Sequence, residues 1–241
     1  MLINSSIAFV IPCYNEEKRI KNLLDAIIIF KKESYKNYNI NFIIVNDGSN
    51  DLTLQIISKH SIFKKNYFEC ISYSKNQGKG FALMKGVEAS KNHWIVTIDV
   101  DLSVTIEEAL KKFINNYEES IKIYYGSRSH PQSKVISKKY RNLIGLIFVY
   151  LTKYLLKLKI TDTQCGFKIY DRKIFNAFIN NFSSFGYTLD LELSILCAIN
   201  NIIIKEIPVN WTHKPGSTIN LLIDPIKMFL NILQLKKKYK I

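Results

Sequence analysis

The stretch Trp94-Ile95-Val96-Thr97-Ile98-Asp99-Val100-Asp101 sets the frame for the rest of the chain. Its first five residues are apolar or β-branched with no polar alternation, the pattern of a strand buried on both faces. It then ends in two carboxylates one residue apart. If the strand continues through them, side-chain alternation puts Asp99 and Asp101 on the same side. Neighbouring carboxylates repel unless a cation joins them, and hard oxygen ligands suit Mg²⁺ or Mn²⁺, usually completed by substrate phosphates. Such a tripeptide also arises by chance as a solvated turn or helix cap. Its place at the end of a buried strand favours the cation.

The same grammar recurs upstream. Ile7-Ala8-Phe9-Val10-Ile11 is a buried strand that stops at Pro12, and Asn41-Phe42-Ile43-Ile44-Val45 is another, closed by Asn46-Asp47-Gly48-Ser49. Ile71-Ser72-Tyr73 is a weaker third strand, followed by Asn76-Gln77-Gly78-Lys79-Gly80. Between the strands lie helical patterns. One runs from about Glu16 to Lys32 with Ile20, Leu23, Leu24, Ile27 and Ile28 on one face, one is capped by Asp51 and runs to about His60, and one spans Gly80 to Ser90. Strands alternating with helices predict an α/β fold with a mostly parallel central sheet flanked by helices. Right-handed crossovers gather the strand C-termini on one edge, where open α/β sheets bind ligands. Asp47, the Asn76–Lys79 loop, Asp99 and Asp101 therefore converge on one cleft.

The second half is less regular. Ile121–Gly126 reads as a strand leading to Ser127-Arg128, and Lys138–Lys159 as a basic helix carrying Arg141. Asp162–Tyr170 reads as loop and strand, Thr188–Asn200 as a helix with Asp190 in its first turn, and Ile202–Val209 as a strand. Asp224–Lys240 is a basic amphipathic helix. The organisation expected is one domain over residues 1–220 with a C-terminal helix over 221–241.

Composition narrows the partners. The chain has 241 residues, 47% of them hydrophobic, which excludes disorder and low complexity. Lys plus Arg is 34 against 20 for Asp plus Glu, giving a net charge of +14 and favouring anionic partners. Cys13, Cys70, Cys165 and Cys197 form no CxxC pair, so neither a zinc site nor a disulfide framework is read from them. The N-terminus shows no signal-peptide pattern, and no apolar run reaches the roughly 18–20 residues that span a bilayer. The expectation is a cytoplasmic protein, soluble or resting on a membrane surface.

Two loops admit both plain and functional readings. Asn76–Gly80 is not a Walker A loop, since Tyr73 stands where the first glycine belongs and Gly80 follows Lys79 in place of Ser or Thr. Its glycines still permit close backbone approach at a helix start, so Lys79 and its neighbours form an anion site or a simple turn. Asp47-Gly48-Ser49 is first a turn with a helix cap, and second a carboxylate able to accept from a base N–H.

Taken in order, Ile11-Pro12-Cys13-Tyr14-Asn15-Glu16, Val45-Asn46-Asp47-Gly48-Ser49, Asn76-Gln77-Gly78-Lys79-Gly80 and Asp99-Val100-Asp101 resemble the motif set of family 2 glycosyltransferases. Tyr125-Gly126-Ser127-Arg128, Asp162-Thr163-Gln164-Cys165-Gly166-Phe167-Lys168 and Val209-Asn210-Trp211-Thr212-His213 are similar to the dolichyl-phosphate glucosyltransferase branch and, less closely, to the mannose synthases. The resemblance implies the GT-A fold and inverting transfer from a nucleotide-sugar donor. It implies that Pro12, Tyr14 and Glu16 line the nucleoside pocket, with Glu16 on the ribose, and that Asp47 reads the base. Asp99 and Asp101 would hold nucleotide and metal, Mg²⁺ or Mn²⁺, with Asp101 the direct ligand. Arg128 and Arg141 match positions associated with an acceptor phosphate.

The reaction this implies is glucose transfer from UDP-glucose to a polyprenyl phosphate at the cytoplasmic, inner face of a membrane that the chain touches peripherally. Its nearest alternatives are a GDP-mannose donor or a glycan hydroxyl acceptor. A phosphate nucleophile needs no strong base, because its second pKa near 6 leaves it largely ionised at neutral pH. A hydroxyl does need one, and Asp190 is the candidate, with favourable charge at a helix N-terminus as its plain reading. The distant alternative is a non-catalytic basic protein binding membrane or nucleic acid. Carboxylates at the strand ends would repel phosphodiesters, so no nucleic-acid partner is expected.

Overall fold

The computed structural model describes residues 5–32, 38–136, 149–150, 152–183, 186, 188–214 and 224–241. Arg141 and all of residues 138–148 of the Lys138–Lys159 stretch expected to be helical lie outside them, as do residues 215–223.

The opening half builds as the buried runs predict. Strands β1 (Ile7–Cys13), β2 (Ile40–Asp47), β3 (Phe68–Tyr73) and β4 (Trp94–Thr97) alternate with helices α1 (Ile20–Lys32), α2 (Thr53–Lys59) and α3 (Lys79–Ala89). Helix α4 (Ile106–Asn116), β5 (Ile123–Ser127) and β6 (Lys134–Ile136) follow. Then come β7 (Lys168–Asp171), α5 (Arg172–Phe178), α6 (Leu189–Ile199), β8 (Ile204–Pro208), β9 (Asn210–Thr212) and α7 (Asp224–Tyr239). The main sheet has seven strands in the order β3-β2-β1-β4-β7-β5-β8, and β6 pairs with β9 in a small second sheet. Only β7 runs against its neighbours, pairing antiparallel with β4 and with β5.

Alternation along β1 divides the core into two layers. Ile7, Phe9, Ile11 and Cys13 face one side, where α1 and α4 bring Leu23, Leu24, Ile27, Phe30, Leu110 and Phe113. Ala8 and Val10 face the other, where α3, α5 and α6 bring Ala82, Val87, Phe175, Leu193 and Leu196. A strand with both faces covered must be apolar throughout, which explains the unbroken runs. Each large apolar side chain so buried contributes roughly 1.5–3 kcal/mol.

Three local expectations are corrected. The strand before Asp99 ends at Thr97, where its pairing with Lys168 of β7 ends. Asp99 and Asp101 therefore lie in a turn, in which Leu102 N–H donates to the Asp99 carbonyl and Leu102 takes φ 54°. Strand alternation does not set their directions. The first helix begins at Ile20, not Glu16, because Asn15 adopts φ 54° and the Glu16 carbonyl accepts from both Arg19 N–H and Ile20 N–H, closing a turn first. Asp51 does not occupy the cap position of α2, which falls on Leu52, but its Oδ1 still accepts from Thr53 N–H at 2.9 Å.

The C-terminal helix is docked. Ile232 and Leu235 of α7 join Leu191 and Ile195 of α6 and Leu156 and Leu158 in a third apolar cluster. Beside it, fully buried Glu192 accepts from Lys238 Nζ at 2.8 Å, Tyr239 OH at 2.9 Å and Ser183 N–H at 2.8 Å. Among the described residues no helix is long and apolar enough to cross a membrane.

Candidate active site

The loops at the C-terminal ends of β1 and β2 are stitched to each other. Asn15 N–H donates to Ser49 Oγ at 2.9 Å, Asn50 N–H to Asn15 Oδ1 at 2.9 Å, and Glu16 N–H to Thr53 Oγ1 at 2.7 Å. Glu17 N–H and Leu52 N–H complete a reciprocal pair with the side chains of Asp51 and Glu17. Pro12 and Tyr14 stand half-buried at this junction.

Asp47, 2% exposed, ties the β2 loop to the β3 loop. Its Oδ1 accepts from Tyr73 OH at 2.8 Å and Gln77 N–H at 2.8 Å. Its Oδ2 accepts from Asn76 Nδ2 at 2.8 Å and Gly78 N–H at 2.9 Å. Four donors fill the roughly four acceptor sites of a carboxylate. Asp47 thus shapes the Asn76–Gly78 loop, and direct base reading would have to displace one of these donors. Gly78 takes φ 102° at the start of α3, a conformation that side chains other than glycine's disfavour. Burial pushes the Tyr73 hydroxyl's pKa up, and the Asp47 carboxylate it faces raises it further.

From that loop Lys79 reaches Asp99, with Nζ 2.6 Å from Oδ1. Burial pushes the Asp99 carboxyl's pKa up, but Lys79, helped by Lys168 and Arg128, holds it below the usual value. Gly166 backs this carboxylate, and Thr97 Oγ1 fixes the Gly166 carbonyl at 2.8 Å. Asp101 faces elsewhere: its Oδ1 accepts from Ser103 N–H at 2.8 Å, and its Oδ2 lies 3.9 Å from Arg19 NH1. Arg19 meanwhile grips Glu16 with two 2.6 Å bonds. Burial raises the Glu16 pKa, Arg19 pulls it down, and nearby Asp101 and Asp99 push it up again, leaving it raised.

This donor set fits a divalent ion of the phosphate-bound kind. Among the described residues Asp101 Oδ2 accepts no hydrogen bond, and the buried Ser103 hydroxyl has no partner. Among the described residues no group of three or more His, Cys, Asp or Glu side chains forms a cage. A site of one or two carboxylates suits an ion whose remaining ligands are phosphate oxygens and water.

Across the cleft, Arg128 is clamped by buried Asp162 through Nε at 2.7 Å and NH2 at 2.9 Å, with the Arg128 N–H adding a third bond. NH1 has no partner among the described residues, and the guanidinium lies 5.5 Å from the Trp211 ring centroid. Glu206 holds the loop behind by accepting from Thr161 N–H and Asp162 N–H. Burial pushes the Asp162 carboxyl's pKa up, and Arg128 overcomes this to hold it low. Asp190, in the first turn of α6, has both oxygens engaged: Oδ2 by Lys168 Nζ at 2.8 Å and Oδ1 by Tyr170 OH at 3.1 Å.

The structure brings together Pro12, Tyr14, Glu16, Asp47, Lys79, Asp99 and Asp101 on one sheet edge, with Arg128 and Asp190 facing them. Sequence reasoning missed Arg19, Tyr73, Asp162, Gly166 and Lys168. For Arg19 the spacing was a usable signal, three residues beyond Glu16.

Comparison with known proteins identifies the family and the fold. The family model described as "Glycosyl transferase family 2" matches residues 8–178. The chain is 29% identical to human dolichyl-phosphate beta-glucosyltransferase, covering 97% of this chain and 75% of that one. It is 32% identical to the Saccharomyces cerevisiae protein of the same name, with the same coverages. Glucosyl-3-phosphoglycerate synthase from Mycobacterium tuberculosis, solved with Mn²⁺, UDP and glucosyl-3-phosphoglycerate, superposes with TM-score 0.68 at 17% identity over 98% of this chain and 80% of that one. Mannosyl-3-phosphoglycerate synthase from Rubrobacter xylanophilus gives TM-score 0.68 at 14% identity over 98% and 74%. These neighbours share the GT-A fold. The loops that carry Pro12, Glu16, Asp47, Lys79, Asp99, Asp101 and Arg128 lie inside the matched region and Asp190 lies beyond it; the chain belongs to glycosyl transferase family 2 and is a glycosyltransferase.

Proposed function

We propose that this enzyme transfers glucose from UDP-glucose to a polyprenyl phosphate with inversion, at the cytoplasmic face of a membrane. What carries the reading is the near-full-length similarity to relatives named dolichyl-phosphate beta-glucosyltransferase. The state of Asp190 supports it. A carboxylate held by a buried lysine and a tyrosine hydroxyl is a poor general base, whereas an acceptor phosphate arrives largely ionised and needs none.

In this reading Glu16 faces the donor ribose, and Lys79 offsets charge at the diphosphate. Asp101, with Asp99 nearby, would hold Mg²⁺ or Mn²⁺, and the bound ion would supply charge stabilisation for the departing diphosphate. Arg128 offers NH1, which has no partner among the described residues, to the acceptor phosphate while Asp162 fixes its plane. A phosphate oxygen then attacks the anomeric carbon from the face opposite the nucleotide, and the bond to the diphosphate breaks.

Membrane contact is assigned to α7. Ile226, Phe229, Leu230 and Leu233 are exposed on it beside Lys227, Lys237 and Lys240. Exposed Tyr150 and Tyr154 lie on residues 149–150 and 152–156, of which Leu156 packs in the cluster with α7. Apolar side chains ringed by lysines suit an anionic lipid surface.

The test uses radiolabelled UDP-glucose with polyprenyl phosphate in vesicles. Label should move to organic-soluble product. Label only in water-soluble product would defeat the lipid acceptor, and preference for GDP-mannose would replace the donor.

A further inference from the structure

The DTQCGFK segment contributes one group that the proposed reaction does not use. Lys168 opens β7 with a side chain only 2% exposed. A lysine so deep needs partners for its charge and its three donors. It has Asp190 Oδ2 at 2.8 Å, the Cys165 carbonyl, and the Tyr125 ring, whose centroid is 5.2 Å away. Cys165 leads directly into Gly166, whose backbone touches the Asp99 carboxylate.

We propose that Lys168 is the positioning residue that joins the two halves of the cleft, holding Asp190 of α6 with one hand and the Cys165–Gly166 backing of Asp99 with the other. The inference rests on the reading of the cleft as a nucleotide-sugar site. Lys168 touches no reacting atom in that reading. It sets where two carboxylates stand, one on the donor side and one on the acceptor side. β7 can do this because it is the reversed strand: its N-terminal end lies beside the C-terminal ends of β4 and β5. A long cationic side chain starting there reaches both the first turn of α6 and the Cys165 carbonyl.

Crystal structures of K168M and K168R read the tie directly. In K168M the Cys165–Gly166 loop and Asp99 should shift and Asp190 should turn away, and in K168R they should return toward their wild-type places. Asp99, Gly166 and Asp190 unmoved in K168M would overturn the proposal whichever sugar and acceptor the enzyme uses. If K168M does not fold, K168M/D190N removes both charges of the pair and should still show the displaced Gly166 and Asp99.

Calorimetry with UDP and Mn²⁺ gives a second readout that a purely structural role would not move. Loss of an outer partner of this kind costs on the order of 10- to 100-fold in metal affinity. K168M should fall in that range and K168R should recover most of it. A lowered Tm with unchanged UDP–Mn²⁺ affinity would overturn the proposal. Transfer by K168M should drop on the order of 100-fold, as a displacement of about 1 Å can produce. A wild type that transfers nothing from UDP-glucose would defeat the functional reading alone, since the crystallographic comparison stands without it.

Discussion

Gly166 lies flush against the carboxylate of Asp99: a β-carbon on residue 166 would stand 2.1 Å from Asp99 Oδ2 and 2.4 Å from its Cγ. Any side chain at residue 166 would force the Asp99 carboxylate to move, and the Lys79–Asp99 pair is set from behind by bare backbone.

Gly166→Ala should therefore act as a lesion of Asp99. Overpacking of this kind costs about 1–3 kcal/mol, and the displaced carboxylate should lower transfer on the order of 100-fold. Thermal unfolding and steady-state rates measure the two effects. Wild-type turnover in a folded Gly166→Ala protein would show that the position of Asp99 does not matter.

Asp47 should behave as the organiser of a loop. Asp47→Ala leaves Tyr73 OH, Asn76 Nδ2, Gln77 N–H and Gly78 N–H without their shared acceptor. Asn76 and Gln77 are exposed and Tyr73 and Gly78 half-buried, so water re-partners the freed donors and each lost bond costs about 0.5–1.5 kcal/mol. Tyr73→Phe removes only one donor and should cost about 0.5–1.5 kcal/mol. Denaturant unfolding gives the stabilities. UDP titration should show affinity lost strongly in Asp47→Ala and weakly in Tyr73→Phe.

Acid should expose the Arg128–Asp162 clamp. The folded-state pKa of Asp162 is depressed, since Arg128 outweighs burial. Its stabilising contribution is then fully present above the unfolded value of about 3.9 and is lost as pH falls through the lower folded value. Asp162→Asn should be less stable than wild type at pH 7, and the gap should close progressively below about pH 4. Urea unfolding across that range checks it. A gap that widens in acid would reverse the assignment.

Chelation and Asp101→Asn should converge. EDTA should abolish transfer by the wild type, and added Mn²⁺ should restore it. Asp101→Asn keeps the size but not the charge, and should lose on the order of 100-fold without recovery in excess Mn²⁺. Full activity in EDTA would remove the metal from the reaction.

Much of the site was legible because handedness is. Buried strands joined by helices force right-handed crossovers, so Asp47, Lys79 and Asp99 had to reach one edge. The directions of Asp99 and Asp101 were not legible. They depend on β4 stopping beside the point where reversed β7 begins, and the segment Lys-Ile-Tyr-Asp shows no period that announces an inserted antiparallel strand. Lys168 hid for a related reason: a lysine in a strand ordinarily reads as exposed, and its partner Asp190 is 22 residues away. Asp47 likewise reads as an available acceptor until Tyr73, 26 residues on, is seen to occupy it.

Helix α6 carries two carboxylates two residues apart with opposite duties. Asp190 is held in the cleft by Lys168 and Tyr170, and Glu192 anchors the C-terminal helix through Lys238 and Tyr239. Two residues are barely half a helical turn. A tilt imposed on the last helix therefore acts on the same rigid helix that carries Asp190, so the C-terminal helix and the Asp190 carboxylate share one lever.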